Sequence, residues 1–248
     1  MRYLWLALLT LPAATCADNP VIVELFTSEG CSSCPSAETL LAGLERRQPV
    51  AGVQVIALEE HVDYWNQLGW KDAYSSPQFR FRQNDYAKLF GVEDVFTPQM
   101  VVAGQAAFIG SDRDTALTEI SKYGSAPQED LRLTTSPNAG NPALLDLHVA
   151  IQSHGLTNGG GLVYLAVTES GIASNVTGGE NKGLNLKHAP VVRSFGVIGK
   201  TDARSAALEL SSTLKLPADW KRENLRAVVF LQDKKSKKIT GASSIELH

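Results

Sequence analysis

Along residues 20–123 unbroken apolar runs alternate with stretches of helical period. Residues 21–26 (Val-Ile-Val-Glu-Leu-Phe) and 53–58 (Val-Gln-Val-Ile-Ala-Leu) have the composition of strands buried on both faces. Residues 36–47 carry Leu40, Leu41 and Leu44 at helical spacing and end in Arg46 and Arg47, which suit a helix C-terminus. Ser76-Pro77 supplies an N-cap with proline at the first helical position, and Phe79, Arg82, Tyr86, Leu89 and Phe90 run from it to Gly91, a stop signal. Residues 100–103 read as a strand, Gly104-Gln105 as a turn and 108–109 as a short returning strand. Residues 111–114 then open an amphipathic helix through Leu117 and Ile120. The order β-α-β-α-β-β-α predicts an α/β unit, a mixed sheet with helices on both faces.

After a linker at 125–128 the texture changes. Leu145, Leu147, Val149 and Ile151 alternate with Asp146, His148 and Gln152, and residues 162–167, 191–198 and 225–231 are further apolar runs, joined by Gly- and Asn-rich connections. Short strands between turn signals predict an all-β, sandwich-like second domain. The expected organisation is a leader at 1–17, an α/β domain at 18–125 and a β-rich domain at 126–248.

A length of 248 residues accommodates two such units, and the formal charge of −3 excludes a general basic field for nucleic acid. Arg2 followed by a short apolar run (residues 3–9) and the small residues 13–17 reads as a cleaved secretory signal, too short to span a bilayer. Acylation at Cys16 is the weaker alternative, because Ala13 and Thr15 match a lipoprotein signal poorly. The expected location is therefore periplasmic or secreted, where disulfides persist. No later segment has transmembrane length.

With Cys16 in the leader, the two remaining cysteines form one Cys31-Ser32-Ser33-Cys34-Pro35 motif between a buried strand and a helix. Two residues between cysteines bring the sulfurs into bonding range, and a helix N-terminus favours a thiolate on the first. Three readings follow: a redox couple, a passive disulfide, or a metal pair, the last lacking the second Cys pair that a zinc site of this kind needs. Thr97-Pro98 opens the strand at 100–103, where proline spares the central ladder and a cis bond is a candidate.

Taken together, the CxxC after a strand, Thr97-Pro98, the Gly104 turn, Phe108-Ile109-Gly110 and the final helix resemble the thioredoxin fold over residues 20–124. That resemblance implies a cis Pro98 facing the dithiol and sets Glu24 one residue out of step with a buried carboxylate; two readings follow, a buried Glu24 that moves a proton to or from Cys34 or a Glu at the strand edge. More narrowly, the chain resembles the secreted bacterial family named domain of unknown function 1223. The stretches that carry this likeness are 24–35, His61-Val62-Asp63-Tyr64-Trp65-Asn66, Phe96-Thr97-Pro98-Gln99 and 179–188 running into Val191-Val192-Arg193. No activity comes with the name. No Trp precedes Cys31, and Ser32-Ser33 fills the spacer, so thioredoxin's potential and partners do not transfer.

An insertion at 59–76 leaves the second strand on the sheet edge that carries Cys31, so it is expected to wall the site: Tyr64, Trp65 and Trp70 as apolar cover, His61 and Asp63 to orient a substrate or tune the thiolate. His188 and Arg193, after the glycine-rich 178–183 stretch, are candidates for contact from the second domain. Lys234-Lys235-Ser236-Lys237-Lys238 reads as a solvated hairpin tip. The leading expectation is an exported thiol-disulfide oxidoreductase: Cys31 attacks, Cys34 resolves, and Thr97-Pro98 shapes the groove. Its partners would be a protein or small-thiol substrate and a recycling redox partner, with no cofactor beyond the disulfide. A non-catalytic binding module with a static disulfide is the alternative, and Cu(I) held by Cys31, Cys34 and His61 a third.

Overall fold

The computed structural model describes residues 18–141, 143–157, 160–202 and 206–247. The expected leader at 1–17, including Cys16, lies outside these residues. The first half follows the local signals: β1 (Asn19–Thr27), α1 (Cys34–Arg47), β2 (Val53–His61), α2 (Pro77–Phe90), β3 (Gln99–Val102), β4 (Ala106–Ile109) and α3 (Arg113–Gly124). Ser76 caps α2 by accepting a hydrogen bond from the Gln78 N–H, and Gly91 ends it with φ 66°. Asp112 caps α3 through the Thr115 N–H.

The second half is built of strands: β5 (Asp130–Pro137), β6 (Leu144–Gln152), β7 (Gly161–Glu169), β8 (Ala173–Asn175), β9 (Asn185–Lys187), β10 (Val191–Lys200), β11 (Ala207–Lys215), β12 (Leu225–Asp233) and β13 (Ile239–Glu246). Eight strands from both halves make one mixed sheet in the order β13-β12-β7-β10-β2-β1-β3-β4, and β11-β6-β5 form a second, three-stranded sheet.

This corrects the expected α/β thioredoxin-like domain, with helices on both faces, followed by an all-β sandwich-like domain. The chain is mostly β, with three α-helices against thirteen strands among the described residues, and its main sheet does not stop at β2. The join is narrow. Val191 on β10 pairs in parallel with Glu59 on β2, and the Glu59 N–H donates to the Pro190 carbonyl at 3.0 Å. An open β2 edge would leave a row of backbone groups to satisfy, and β10 meets that need from 132 residues away, where no periodicity announces it.

Alternation along the strands sorts the core. Val21, Val23, Leu25, Val53, Val55 and Ala57 pack with Leu41, Leu44, Ala116 and Ile120 of α1 and α3. Ile22, Phe26, Ile56 and Leu58 pack with Phe79 and Tyr86 of α2 and with Val228 and Phe230 of β12. The three-stranded sheet lies over the far half of the main sheet, Leu147 and Val149 meeting Val163, Val167, Ala227 and Val229.

Candidate active site

Cys31 and Cys34 are disulfide-bonded (S–S 2.14 Å, Cα–Cα 5.4 Å). Cys34 is the first residue of α1, its N–H donating to the Cys31 carbonyl at 3.2 Å. Both cysteines are fully buried while Ser32 and Ser33 between them are exposed. The Ser33 hydroxyl lies 3.4 Å from Cys31 Sγ.

The cover comes from both halves. Asn181 Nδ2 donates to the carbonyls of Glu29 and Cys31, each at 2.9 Å, and Glu180 Oε2 accepts from the Ser32 N–H at 3.0 Å. The segment reaches so close because Gly178 and Gly179 lie against the insertion's backbone: a Cβ at Gly178 would strike the Gly69 carbonyl, and Gly179 has φ +66°. From the insertion, Trp65 packs its Cβ against Gly30 and donates from Nε1 to Thr97 Oγ1 at 2.8 Å. Trp70 Nε1 donates to Glu29 Oε2 at 2.7 Å. The Thr97–Pro98 peptide is cis, and a Cβ on Gly110 would touch both Pro98 and Ala37 of α1. Trp65, Trp70, Thr97 and Pro98 are thus gathered around the disulfide loop and its helix. Asp63 and Tyr64 turn instead to α2, Asp63 pairing with Arg80 at 3.0 Å and Tyr64 donating to Gln83 at 3.3 Å.

Beneath the loop lies a cluster that sequence reading largely missed. His61 is fully buried, its Nδ1 2.7 Å from Asp72 Oδ2 and its Nε2 2.7 Å from Glu59 Oε1. His188 crosses from the second half to place Nδ1 3.0 Å from Glu59 Oε1 and Nε2 3.4 Å from Glu29 Oε1. Glu38, one turn into α1 from Cys34, accepts from Thr27 Oγ1 at 2.7 Å and keeps its other oxygen 3.6 Å from His188 Nδ1. Burial opposes charge on both imidazoles, but Asp72 and Glu59 lift His61 to about 10, and Glu29, Glu38 and Glu59 lift His188 to about 12. Reciprocally, and against burial, the histidines hold Glu59, Glu29 and Asp72 below the usual carboxylate range, whereas burial and the neighbouring Glu59 push Glu38 up. Glu59, His61 and His188 offer ligand atoms within 4.8 Å of one another. The trio Cys31, Cys34 and His61 expected for Cu(I) is not assembled, since the two sulfurs are bonded to each other and His61 is grouped with Glu59 and His188 instead.

One signal for this cluster was available. Glu59-Glu60-His61 continues the apolar run of 53–58, and β2 extends to His61 with all three residues buried. Charged residues inside a strand of this kind need partners.

Glu24 is placed elsewhere. It shares its face with Ile22 and Phe26, opposite the α1 side, where Arg82 and the Tyr86 hydroxyl bond its two oxygens. The expected proton transfer between Glu24 and Cys34 therefore has no geometric basis. Arg193 pairs with Glu169 and covers Tyr74 (5.3 Å) and Trp220 (4.8 Å), meeting the insertion through Tyr74 rather than touching the disulfide loop.

Glu60, on the Glu24 side, has no hydrogen-bond partner for either oxygen beyond what Glu24 provides on protonation, and burial, then Glu24, push its carboxyl well above the ordinary value of 4.5. A raised carboxyl contributes its full stability below the unfolded value and loses it as pH rises through the folded one. Glu60→Gln is therefore expected to raise the melting temperature at pH 7 and to leave it unchanged at pH 4. A melting temperature at pH 7 equal to or below wild type would contradict this.

The family model described as "Protein of unknown function (DUF1223)" matches residues 22–232. Among solved structures, the chain is similar to protein AGR_C_4864 of Agrobacterium tumefaciens at 25% identity and a TM-score of 0.68, covering 93% of this chain and 96% of that one. It is similar to HBP35 of Porphyromonas gingivalis at 13% identity and a TM-score of 0.62, covering 93% and 76%, a likeness of fold alone. No curated protein matches the chain. No helix among the described residues is long and apolar enough to cross a membrane.

Proposed function

The chain belongs to the family described as protein of unknown function (DUF1223), and since that description assigns no activity we propose one: an exported thiol-disulfide oxidoreductase working through Cys31 and Cys34. The observation that carries this reading is the placement of the bond. It closes a loop of sequence separation three at the N-terminus of α1. Chain-entropy arguments give so short a loop about 2 kcal/mol, against about 3 for a 15-residue loop, so stability is a weak reason for it, whereas a helix N-terminus stabilises the thiolate that exchange requires. Residues 1–17 support export.

In the reducing direction the Cys31 thiolate attacks a substrate disulfide, forming a mixed disulfide and releasing one substrate thiolate. Cys34, deprotonated, then attacks Cys31 Sγ, which regenerates the internal disulfide and releases the second substrate thiolate. Two electrons pass from the dithiol to the substrate, and the reverse sequence oxidises a substrate dithiol. Trp65, Thr97 and Pro98 line the approach, and the Glu180-Asn181 segment must yield for a partner to reach Cys31. The full burial of both sulfurs favours a second reading, a static disulfide in a binding protein.

Titration of the full chain in a redox buffer separates the two. Oxidoreductase function predicts a reversible two-electron couple, a mixed disulfide trapped on Cys31 in Cys34→Ser, and several-fold faster reduction by dithiothreitol in Asn181→Ala. A bond that resists reduction until the chain unfolds supports the static reading instead.

A further inference from the structure

We infer that Glu38, Glu59, His61 and His188 form a binding site for one first-row divalent metal ion beneath the disulfide loop, joining the two halves of the chain. This inference is independent of the redox reading.

The argument rests on which atoms are held and which converge. Each of the four side chains has one polar atom fixed from outside the cluster. Asp72 holds His61 Nδ1 at 2.7 Å, Ser174 Oγ lies 3.2 Å from His188 Nε2, the Ala189 N–H donates to Glu59 Oε2 at 2.5 Å, and Thr27 donates to Glu38 Oε1 at 2.7 Å. A carboxylate on the far nitrogen of a metal-bound histidine is the usual outer support of such sites, fixing tautomer and ring orientation. Of the remaining atoms, His61 Nε2, His188 Nδ1 and Glu59 Oε1 lie within 4.8 Å of one another, and Glu38 Oε2 stands beside His188 at the edge of this group, from which a side-chain shift would bring it to a shared ion. Glu59 Oε1 lies 2.7 Å from His61 Nε2 and 3.0 Å from His188 Nδ1, and Glu38 Oε2 lies 3.6 Å from His188 Nδ1.

Metal–ligand bonds of about 2.0–2.2 Å at tetrahedral angles separate the ligand atoms by about 3.3 Å, so the two Glu59 contacts, now hydrogen bonds of 2.7 and 3.0 Å, would lengthen by about 0.6 and 0.3 Å as the ion replaces the shared protons. An independent sign is Glu38 itself. Its residue is 1% exposed, and Oε2 makes no hydrogen bond, only a 3.6 Å ion-pair contact with His188 Nδ1 that is lost when that nitrogen gives up its proton to bind a metal. A buried carboxylate oxygen left this way is costly, and a cation would satisfy it. Two imidazoles and two carboxylates suit zinc, cobalt, iron or manganese, and the absence of sulfur disfavours Cu(I). Since Glu38 comes from α1, Glu59 and His61 from β2 and His188 from the segment between β9 and β10, a bound ion would fix the second half's cover in place over Cys31–Cys34.

The test uses the full, chelator-treated chain with its disulfide intact, titrated with Co2+ and then Zn2+. Expected are one equivalent of Co2+ with the visible absorption of a tetrahedral site, its displacement by Zn2+, and a higher melting temperature with Zn2+. Glu59→Gln should lose this binding. Asp72→Asn should keep the stoichiometry but bind about 10–100-fold more weakly. The Cys31→Ser/Cys34→Ser double variant should bind like wild type. Should Glu59→Gln not fold, the wild-type, Asp72→Asn and double-cysteine arms still decide. The assignment is overturned if wild type binds neither ion, if binding is lost with the cysteines, or if Asp72→Asn binds like wild type.

Discussion

Replacing Arg82 with methionine is expected to destabilise the chain by about 3–5 kcal/mol at neutral pH, the cost of leaving a buried charge without its partner. Arg82 emerges from α2 into a largely buried position among aromatic rings. Its Nε bonds Glu24, Nη1 donates to Gln232 at 3.2 Å and Nη2 to the Tyr86 hydroxyl at 3.0 Å. The rings of Tyr86, Tyr164, Phe195 and Phe230 surround the guanidinium at 5.0–5.5 Å. Burial opposes its charge, but Glu24, Tyr86 and Glu60 more than compensate and keep it firmly protonated. Methionine replaces the stem and its packing but leaves the Glu24 carboxylate, 0% exposed, without a cation, held only by the Tyr86 hydroxyl and the neighbouring Glu60 carboxyl. Removing that charge too should recover most of the loss, because a neutral pair of similar volume is often nearly as stable as the ion pair. At about 2–4 °C per kcal/mol for a domain of this size, the single variant should melt roughly 10 °C lower, and Arg82→Met/Glu24→Gln much closer to wild type. A single-variant loss below about 1 kcal/mol, or a double variant no better than the single, would show that the pair is not what holds α2 to β12.

His188→Gln should produce the second large effect, and one that depends on pH. In the chelator-treated chain the imidazolium is paired with Glu29, Glu38 and Glu59, and breaking so buried a pair costs about 3–5 kcal/mol near pH 6. His188 is raised from 6.5 to about 12, so its contribution is fully present below pH 6.5 and is lost progressively as pH rises through the folded value. His61, raised to about 10, adds a loss of the same sign. Glu59 and Asp72, held low, act oppositely: their contribution is present above 4.5 and 3.8 and disappears as the solution is acidified. His188 lowers Glu29, Glu38 and Glu59, so the substitution shifts those carboxyls upward as well. The difference in unfolding free energy from urea titrations should shrink by about 1.4 kcal/mol per pH unit above pH 7. A difference constant from pH 6 to pH 9 would mean that His188 is not protonated in the folded chain.

The reading of the sequence was most complete where the cause was local. The α2 cap at Ser76 and its stop at Gly91 involve atoms within two or three residues, as does the CxxC at the start of α1. Trp65 and Trp70 were placed beside the loop by strand polarity, which follows from two parallel strands whose C-terminal ends share an edge. The polar clusters were harder to see. Glu38 is one charge in an ordinary amphipathic helix until α1 docks, and Arg82 occupies a position in α2 that either an apolar or a polar residue could fill. For Glu24, one residue out of step with the carboxylate position of the resemblance, parity decides: within a strand one residue changes the face, so the carboxylate meets α2 rather than the helix that carries Cys34.

The sequence by itself determined the first seven elements, the placement of Cys31 and Cys34 at a strand-to-helix junction and the change of texture after α3, because capping, turn chemistry and periodicity act over a few residues. Only the tertiary structure decided that the main sheet continues from β2 into β10, and that His188 and Asn181 reach Glu59 and Cys31. The physical reason is that pairing between positions 59 and 191, and the meeting of carboxylates with imidazoles from three segments, depend on the register of the whole sheet, and any residue satisfied that way leaves no periodic trace in its own neighbourhood.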